Sequence, residues 1–193
     1  MHSPDTYGKY YGPKDVASIL MNIAKKKRLS HLRISGNEPT IHRHHLIEVL
    51  HSIDKKYSFI LETNGILIGN DPAYAKELSA FTNLYVRVSL KGTNEDEFSR
   101  LTGSIPEGFK LQLKALEYLR DSGVKAHPAC MISFSLPENV KALRKRLRAI
   151  DPDFEDFEVE ELILYPQIED RLRRMKINYI SAYSPQNIPK EQI

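Results

Sequence analysis

Cysteine is almost missing from this chain: Cys130 is the only one in 193 residues. A single thiol excludes an internal disulfide framework and any metal site built from several cysteines of the same chain. Cys130 lies in the run Ala126 to Phe134, where a buried thiol acting as a small hydrophobe is the plain reading. Long apolar stretches are lacking too. No run approaches the roughly 18 residues that span a bilayer, so no membrane partner is expected. Residues 1–12 carry neither a basic start nor an apolar stretch, which reads against a secretory signal and for the cytoplasm. A strong excess of either charge is absent: the net charge is +3, too small to imply a polyanionic partner. Local basic runs are stronger, at Lys25-Lys26-Lys27-Arg28, at Arg144-Lys145-Arg146 with Arg148, and at Arg171 with Arg173-Arg174. Solvated helix faces and helix ends explain them, with an RNA-binding surface as the alternative. No repeat or low-complexity segment is present. Hydrophobic residues at 41% and charged residues at 27% fit one soluble globular domain.

What is present is a steady alternation of helical and strand-like patterns. Gly12-Pro13 opens a helix, and Val16, Ile19, Leu20, Ile23 and Ala24 repeat at helical spacing. Leu32 to Ser35 reads as a strand, followed by a helix whose buried face is Leu46, Val49, Leu50 and Ile53. Tyr57 to Thr63 is the next strand. Asp71-Pro72 starts a short helix carrying Tyr74, Leu78 and Phe81, and Leu84 to Leu90 is a strand. The insertion Thr93 to Gly108 holds a small helix or lid-like loop. A helix with Phe109, Leu113, Leu116 and Leu119 closes on Gly123, and Ala126 to Ile132 is the fourth strand. Ser135-Leu136-Pro137-Glu138 has a capping-box pattern before a helix with Val140, Leu143, Leu147 and Ile150. An acidic connection leads to a fifth strand, Val159 to Leu164. A charged helix near 168–175 precedes a tail, with Pro185 and Pro189, that is extended or disordered. This order predicts an α/β fold with a parallel sheet and right-handed crossovers. Five strands cannot close an eight-stranded barrel, so an open partial (β/α) barrel is expected, with residues 1–166 as its core and 167–193 as a C-terminal helix and tail. Opening on a helix reads as a βα unit whose strand is missing.

Three polar tracts follow three of these strands: Ser35-Gly36-Asn37-Glu38-Pro39, Glu62-Thr63-Asn64-Gly65 and Ser89-Leu90-Lys91-Gly92. Parallel strands point their carboxyl ends to one rim, so the tracts converge where such folds bind ligands. Ser35-Gly36-Asn37 can present backbone groups to a small zwitterion, with glycine allowing close approach and Glu38 offering a carboxylate to an ammonium. The alternative is a simple strand-to-helix turn. Thr63 and Asn64 supply neutral hydrogen bonds beside them, although Asn-Gly is also a common turn. Lys91 can hold a carboxylate, act as a Schiff-base nucleophile as in a barrel aldolase, or snorkel from the sheet edge. His127 and Met131 share one sheet face. His42, His44 and His45 lack an obvious fourth partner for zinc, so no metal site is expected there.

Leu32-Arg33-Ile34-Ser35-Gly36-Asn37-Glu38-Pro39-Thr40 resembles the "GGEP" motif of the radical S-adenosylmethionine (SAM) enzymes, with Asn37 in place of the second glycine. Glu62-Thr63-Asn64-Gly65 and Val88-Ser89-Leu90-Lys91-Gly92 are similar to the branch that holds the glycyl-radical activating enzymes, such as those acting on pyruvate formate-lyase, where the last tract usually reads Asp-Leu-Lys. Ser89 departs from that pattern. The resemblance covers roughly residues 10 to 166 and implies a six-stranded core lacking its first strand. It also implies SAM as cofactor, bound by Ser35, Gly36, Asn37, Glu38, Thr63, Asn64, Ser89 and Lys91, with His127 near the ribose or adenine. The family's chemistry is reductive cleavage of SAM to a 5′-deoxyadenosyl radical that abstracts hydrogen from a substrate. That requires an electron donor and a 4Fe-4S cluster on three closely spaced cysteines after the first strand, and Cys130 alone cannot replace them. The resemblance therefore implies either a chain starting downstream of its cysteine loop, inactive as given, or a degenerate relative that binds SAM or a partner without catalysis. The truncated reading is preferred. The substrate is unknown: a protein glycine, a metabolite or an RNA nucleoside. The insertion Thr93 to Gly108 and the tail after Pro166 are the parts expected to meet it.

Overall fold

The computed structural model describes residues 9–189. Residues 1–8, part of the stretch read against a secretory signal, and residues 190–193, the end of the tail, lie outside them. Five parallel strands stand side by side in chain order: β1 (His31–Ile34), β2 (Ser58–Thr63), β3 (Leu84–Lys91), β4 (Lys125–Met131) and β5 (Glu158–Glu160). Helix α1 (Pro13–Lys27) precedes them, and α2 (Arg43–Ser52), α3 (Ile66–Asn70), α4 (Pro72–Leu78), α5 (Glu95–Thr102), α6 (Glu107–Asp121) and α7 (Pro137–Ile150) lie in the connections. Helix α8 (Pro166–Met175) follows β5. Right-handed crossovers that always step to the next strand put the connecting helices on the same side of the sheet, while α8, after the last strand, lies beside Lys91 and Met131 of the other face. The outcome is the open partial (β/α) barrel that the alternation predicts, with one face covered and one face open.

Successive side chains of a strand point to opposite faces, so the register sorts the residues. Leu32 aligns with Phe59, Leu61 with Val86, and Leu90 with Cys130; all are buried on the helix side with Phe109, Leu116, Leu119, Leu143 and Leu147. Each such side chain contributes roughly 1.5–3 kcal/mol by leaving water. The intervening positions carry the sheet's charged side chains among a few apolar ones. Glu62 aligns with Arg87, Arg87 with His127, and Met131 with Glu160.

Several local features depart from the sequence-based expectation. Helix α1 buries Ala17 and Ala24, while Ile19 and Ile23 stay 43% and 47% exposed. The apolar stripe is thus rotated, with the small alanines seated against the core. Ser135 does not cap α7, whose N-cap is Leu136. Its hydroxyl instead donates to the buried Glu97 carboxylate (2.6 Å), a charge-assisted bond stronger than a neutral cap. Helix α3 forms directly after Asn64-Gly65, where the turn residues alone predict no helix. Strand β5 covers Glu158–Glu160 rather than Val159 to Leu164, and Ile163 instead bridges Tyr183 of the tail. Tyr183 donates its amide to the Leu162 carbonyl (2.8 Å), and Ile180 donates to that of Ser133 (2.7 Å), so the tail runs back along the sheet rim. Cys130 is fully buried, as its sequence context predicts, and its thiol donates to the Gly92 carbonyl (3.3 Å). Burial pushes that thiol up to about 12. No helix among the described residues is long and apolar enough to cross a membrane.

Candidate functional site

A cavity of about 300 Å³ opens at the carboxyl ends of the strands, at the small end of the roughly 300–1,000 Å³ usual for small-molecule sites. The first tract reaches it through Gly36 and Asn37. Both adopt left-handed backbone, φ +91° and +47°, and a side chain at Gly36 would meet nothing within 4 Å. Glycine is therefore suited by its φ, and not by crowding. Ser35 is exposed just before this turn. The Glu38 carboxylate accepts from the Thr40 amide (3.1 Å) and hydroxyl (2.6 Å), from the Thr63 hydroxyl (2.6 Å) and from the Asn64 amide (2.7 Å). It works as a clamp that fastens the first tract to the second.

The second tract contributes Glu62, Thr63 and Asn64 to the cavity wall. Asn64 caps its own turn by accepting from the Ile66 amide (2.9 Å) through Oδ1. Behind these tracts, Gln112 of α6 donates its side-chain amide to the carbonyls of Asn64 (2.7 Å) and Ser89 (3.1 Å). Two carbonyl acceptors fix the orientation of the amide. Its Oε1 is then the one buried side-chain oxygen or nitrogen without a hydrogen-bond partner among the described residues, and Gln112 lines the cavity. A buried acceptor without a partner is costly unless a ligand or water meets it.

The third tract brings Ser89 and Lys91. The Lys91 amine donates to the Ser89 hydroxyl (2.9 Å) and to Glu160 (3.0 Å), the outer end of a ladder of charges across the open face. Arg33 pairs with Glu62, and Glu62 accepts from Arg87 (2.8 Å). Arg87 also holds Glu158 (2.6 Å) and Glu160 (2.8 Å). Burial opposes the charge on Arg87, which is 5% exposed, yet its hydrogen bonds to Glu158 and Glu160 outweigh burial and raise its pKa. The hydrogen bond from Arg87, against some desolvation and aided by His127, holds Glu158 down at about 2. For Glu160, burial works upward, but Lys91 and Arg87 bring its pKa below the ordinary value. The remaining wall comes from Ile66 of α3 and from the insertion, through Phe98, Thr102 and Ser104.

Gly36, Asn37, Thr63, Asn64, Ser89 and Lys91 thus meet around one cavity, while Ser35 and Glu38 stand in the same turn without lining it. His127 lies lower on β4, bonded to Glu158 (3.1 Å) and tilted against the Tyr85 ring. His44 is largely exposed, with Glu48 at 3.8 Å. No group of three His, Cys, Asp or Glu among the described residues is placed to hold a metal ion. Arg87, Glu158, Glu160 and Gln112 are absent from the sequence-based site. A charged residue at alternate positions of successive strands was the available signal for the first three. Gln112 carries none, since one polar residue on a helix face has no periodic mark. Several arginines of the basic runs pair with nearby acids: Arg146 with Glu95 and Arg148 with Glu155.

The sequence pattern of the Radical SAM superfamily matches residues 2–150. No curated protein sequence matches the chain. Among solved structures, SuiB of Streptococcus suis bound to S-adenosylmethionine is similar, with a TM-score of 0.67 and 17% identity over 92% of this chain and 42% of SuiB. SuiB bound to the precursor peptide SuiA gives 0.67 and 17% over 92% and 43%. The structure of anSMEcpe with bound AdoMet gives 0.58 and 20% over 83% and 45%. The chain spans less than half the length of these proteins, and at such identities the likeness is one of fold. With the superfamily pattern running from before α1 to the end of α7, over a parallel half-barrel of matching architecture, the chain belongs to the radical SAM superfamily.

Proposed function

We propose that the chain binds SAM in the cavity at the sheet rim and forms the SAM-binding part of a radical SAM enzyme. The observation that carries this reading is the convergence of the three tracts, with a cation and an unpartnered buried acceptor, on one small cavity. Lys91 takes the carboxylate of the methionine end, and the ammonium beside it meets the acceptors of the same wall. Gly36 and Asn37 bring backbone close to the ligand. The fit is reasonable for SAM: its zwitterionic end needs a donor cation and acceptors within one short reach, and Lys91 and Gln112 both attach to Ser89.

The residues present do not fit an iron–sulfur cluster. The only thiol is buried, hydrogen-bonded to Gly92 and held at about 12, far from the thiolate such clusters need. Cysteines outside this sequence are required for reductive cleavage, and these residues by themselves supply binding and orientation. The Asn64-Gly65 and Leu90-Lys91 tracts support placement near the activating enzymes. The peptide-bound neighbours SuiB and anSMEcpe favour a peptide or protein substrate over an RNA nucleoside. Superfamily membership also favours Lys91 as an anion holder over a Schiff-base nucleophile.

Calorimetric titration of the chain with SAM tests the reading. Saturable binding is expected, weakened about tenfold or more in Lys91→Met, which removes a charge-assisted bond. No SAM binding by the wild-type chain, or equal binding by the variant, would overturn it.

A further inference from the structure

A second cavity, of about 190 Å³, adjoins the first and shares Lys91 with it. Its walls have a different chemistry. Leu101 of α5, Met131 of β4 and Phe134 just beyond it face Ile168, Leu172 and Met175 of α8. The insertion after β3 and the segment after Pro166, the two stretches without a readable motif, therefore meet here. Among the described residues, the only charged groups in the lining are Lys91 and Arg171, and no carboxylate is among them. Lys91 already has Glu160 as counter-ion. Arg171 has no hydrogen bond or ion pair among the described residues, whereas Arg173, two positions along the same helix, pairs with Glu169 and Asp170.

An apolar chamber with one uncompensated guanidinium at its wall matches a ligand that is apolar at one end and anionic at the other. An engineered cavity of about 150 Å³ takes benzene, so this one has room for a single ring or a branched aliphatic group. We propose that it is the substrate subsite, and that it receives an apolar group carrying a carboxylate, with the acid on Arg171 and the apolar part among the residues of β4, α5 and α8. That chemistry has two sources, a small apolar acid or the C-terminal residue of a peptide. The inference rests on the SAM reading only for what occupies the cavity next door.

The test is titration of the chain with 3-phenylpropionate and with 3-phenylpropanamide, and with a hexapeptide ending in Phe and its C-terminal amide. The acid forms should bind at least about tenfold tighter than the amides, one charge-assisted bond being the difference. Arg171→Gln, at an exposed helix position, should erase that preference. Met175→Trp, on the same exposed helix, should weaken acid and amide together by crowding the chamber. Tighter binding of the peptide than of the free acid supports the proposal with a polypeptide as source, and the reverse order supports it with a metabolite. Equal binding of acid and amide, no binding of either, or an acid preference that survives Arg171→Gln would overturn it. A chain that binds SAM and ignores every acid loses this subsite and keeps the SAM reading; one that binds the acids and not SAM does the opposite.

Discussion

The two faces of one sheet are held by different physics. On the helix side, Phe59, Leu61, Val86, Val88 and Leu90 are fully buried, and packing alone accounts for their order. On the open side, Arg33, Glu62, Arg87, Glu158, Glu160 and Lys91 form a charged ladder that spans β1 to β5. The apolar face needs only volume and periodicity to be right. The charged face needs each partner, since a buried guanidinium left without its acids is penalised by several kcal/mol. The second kind of order reaches the rim cavity through Glu160 to Lys91.

The largest effect should separate the faces directly. Phe59→Ala on the covered face should cost about 3–5 kcal/mol, whereas Tyr85→Ala, on the open side, should cost less than about 1 kcal/mol. Similar shifts of the urea midpoint in the two variants would break the contrast. Next is Arg87→Met, which leaves Glu62, Glu158 and Glu160 facing one another. A loss near the low end of about 3–5 kcal/mol is expected, because the Glu158 side chain keeps 50% of its surface in water.

The same variant sharpens the comparison through pH. The folded protein holds Glu158 at about 2, against an ordinary 4.5, so its contribution is present above 4.5 and is lost as pH falls toward 2. Wild-type stability should therefore drop across that interval more steeply than that of Arg87→Met. Parallel pH profiles of the two proteins would remove the ladder from the account. The smallest effect is expected from Gln112→Leu, which strips the donors from the Asn64 and Ser89 carbonyls. About 1–3 kcal/mol of stability should go, together with SAM affinity. Loss of stability with SAM binding unchanged would make Gln112 a purely structural tie.

How much was legible follows the same division. The tracts at Gly36, Asn64 and Lys91 could be read because turn chemistry and strand ends are local marks. Glu38 shows the limit. As a carboxylate near a glycine turn it reads as a ligand for an ammonium, and nothing local tells that Thr63 and Asn64, a strand away, donate to it. Ser135 shows it again, since its capping pattern is sound locally and the distant Glu97 takes the hydroxyl. The exposed Ile19 and Ile23 of α1 come from the same cause: helical spacing identifies an apolar stripe, while contact with neighbours selects its centre.

By itself, the order of residues determined the alternation of helices and strands, the parallel half-barrel and the three polar tracts at its rim, because periodicity, caps and turns act over a few residues. Only the tertiary structure decided that Arg87 would gather acids from β2 and β5, that Gln112 would tie two tracts from behind, and that the insertion and α8 would enclose an apolar chamber. The hydrogen bonds among those contacts join residues from 23 to 73 positions apart. Strand register and crossover direction bring them together, and neither is written in any local stretch of the chain.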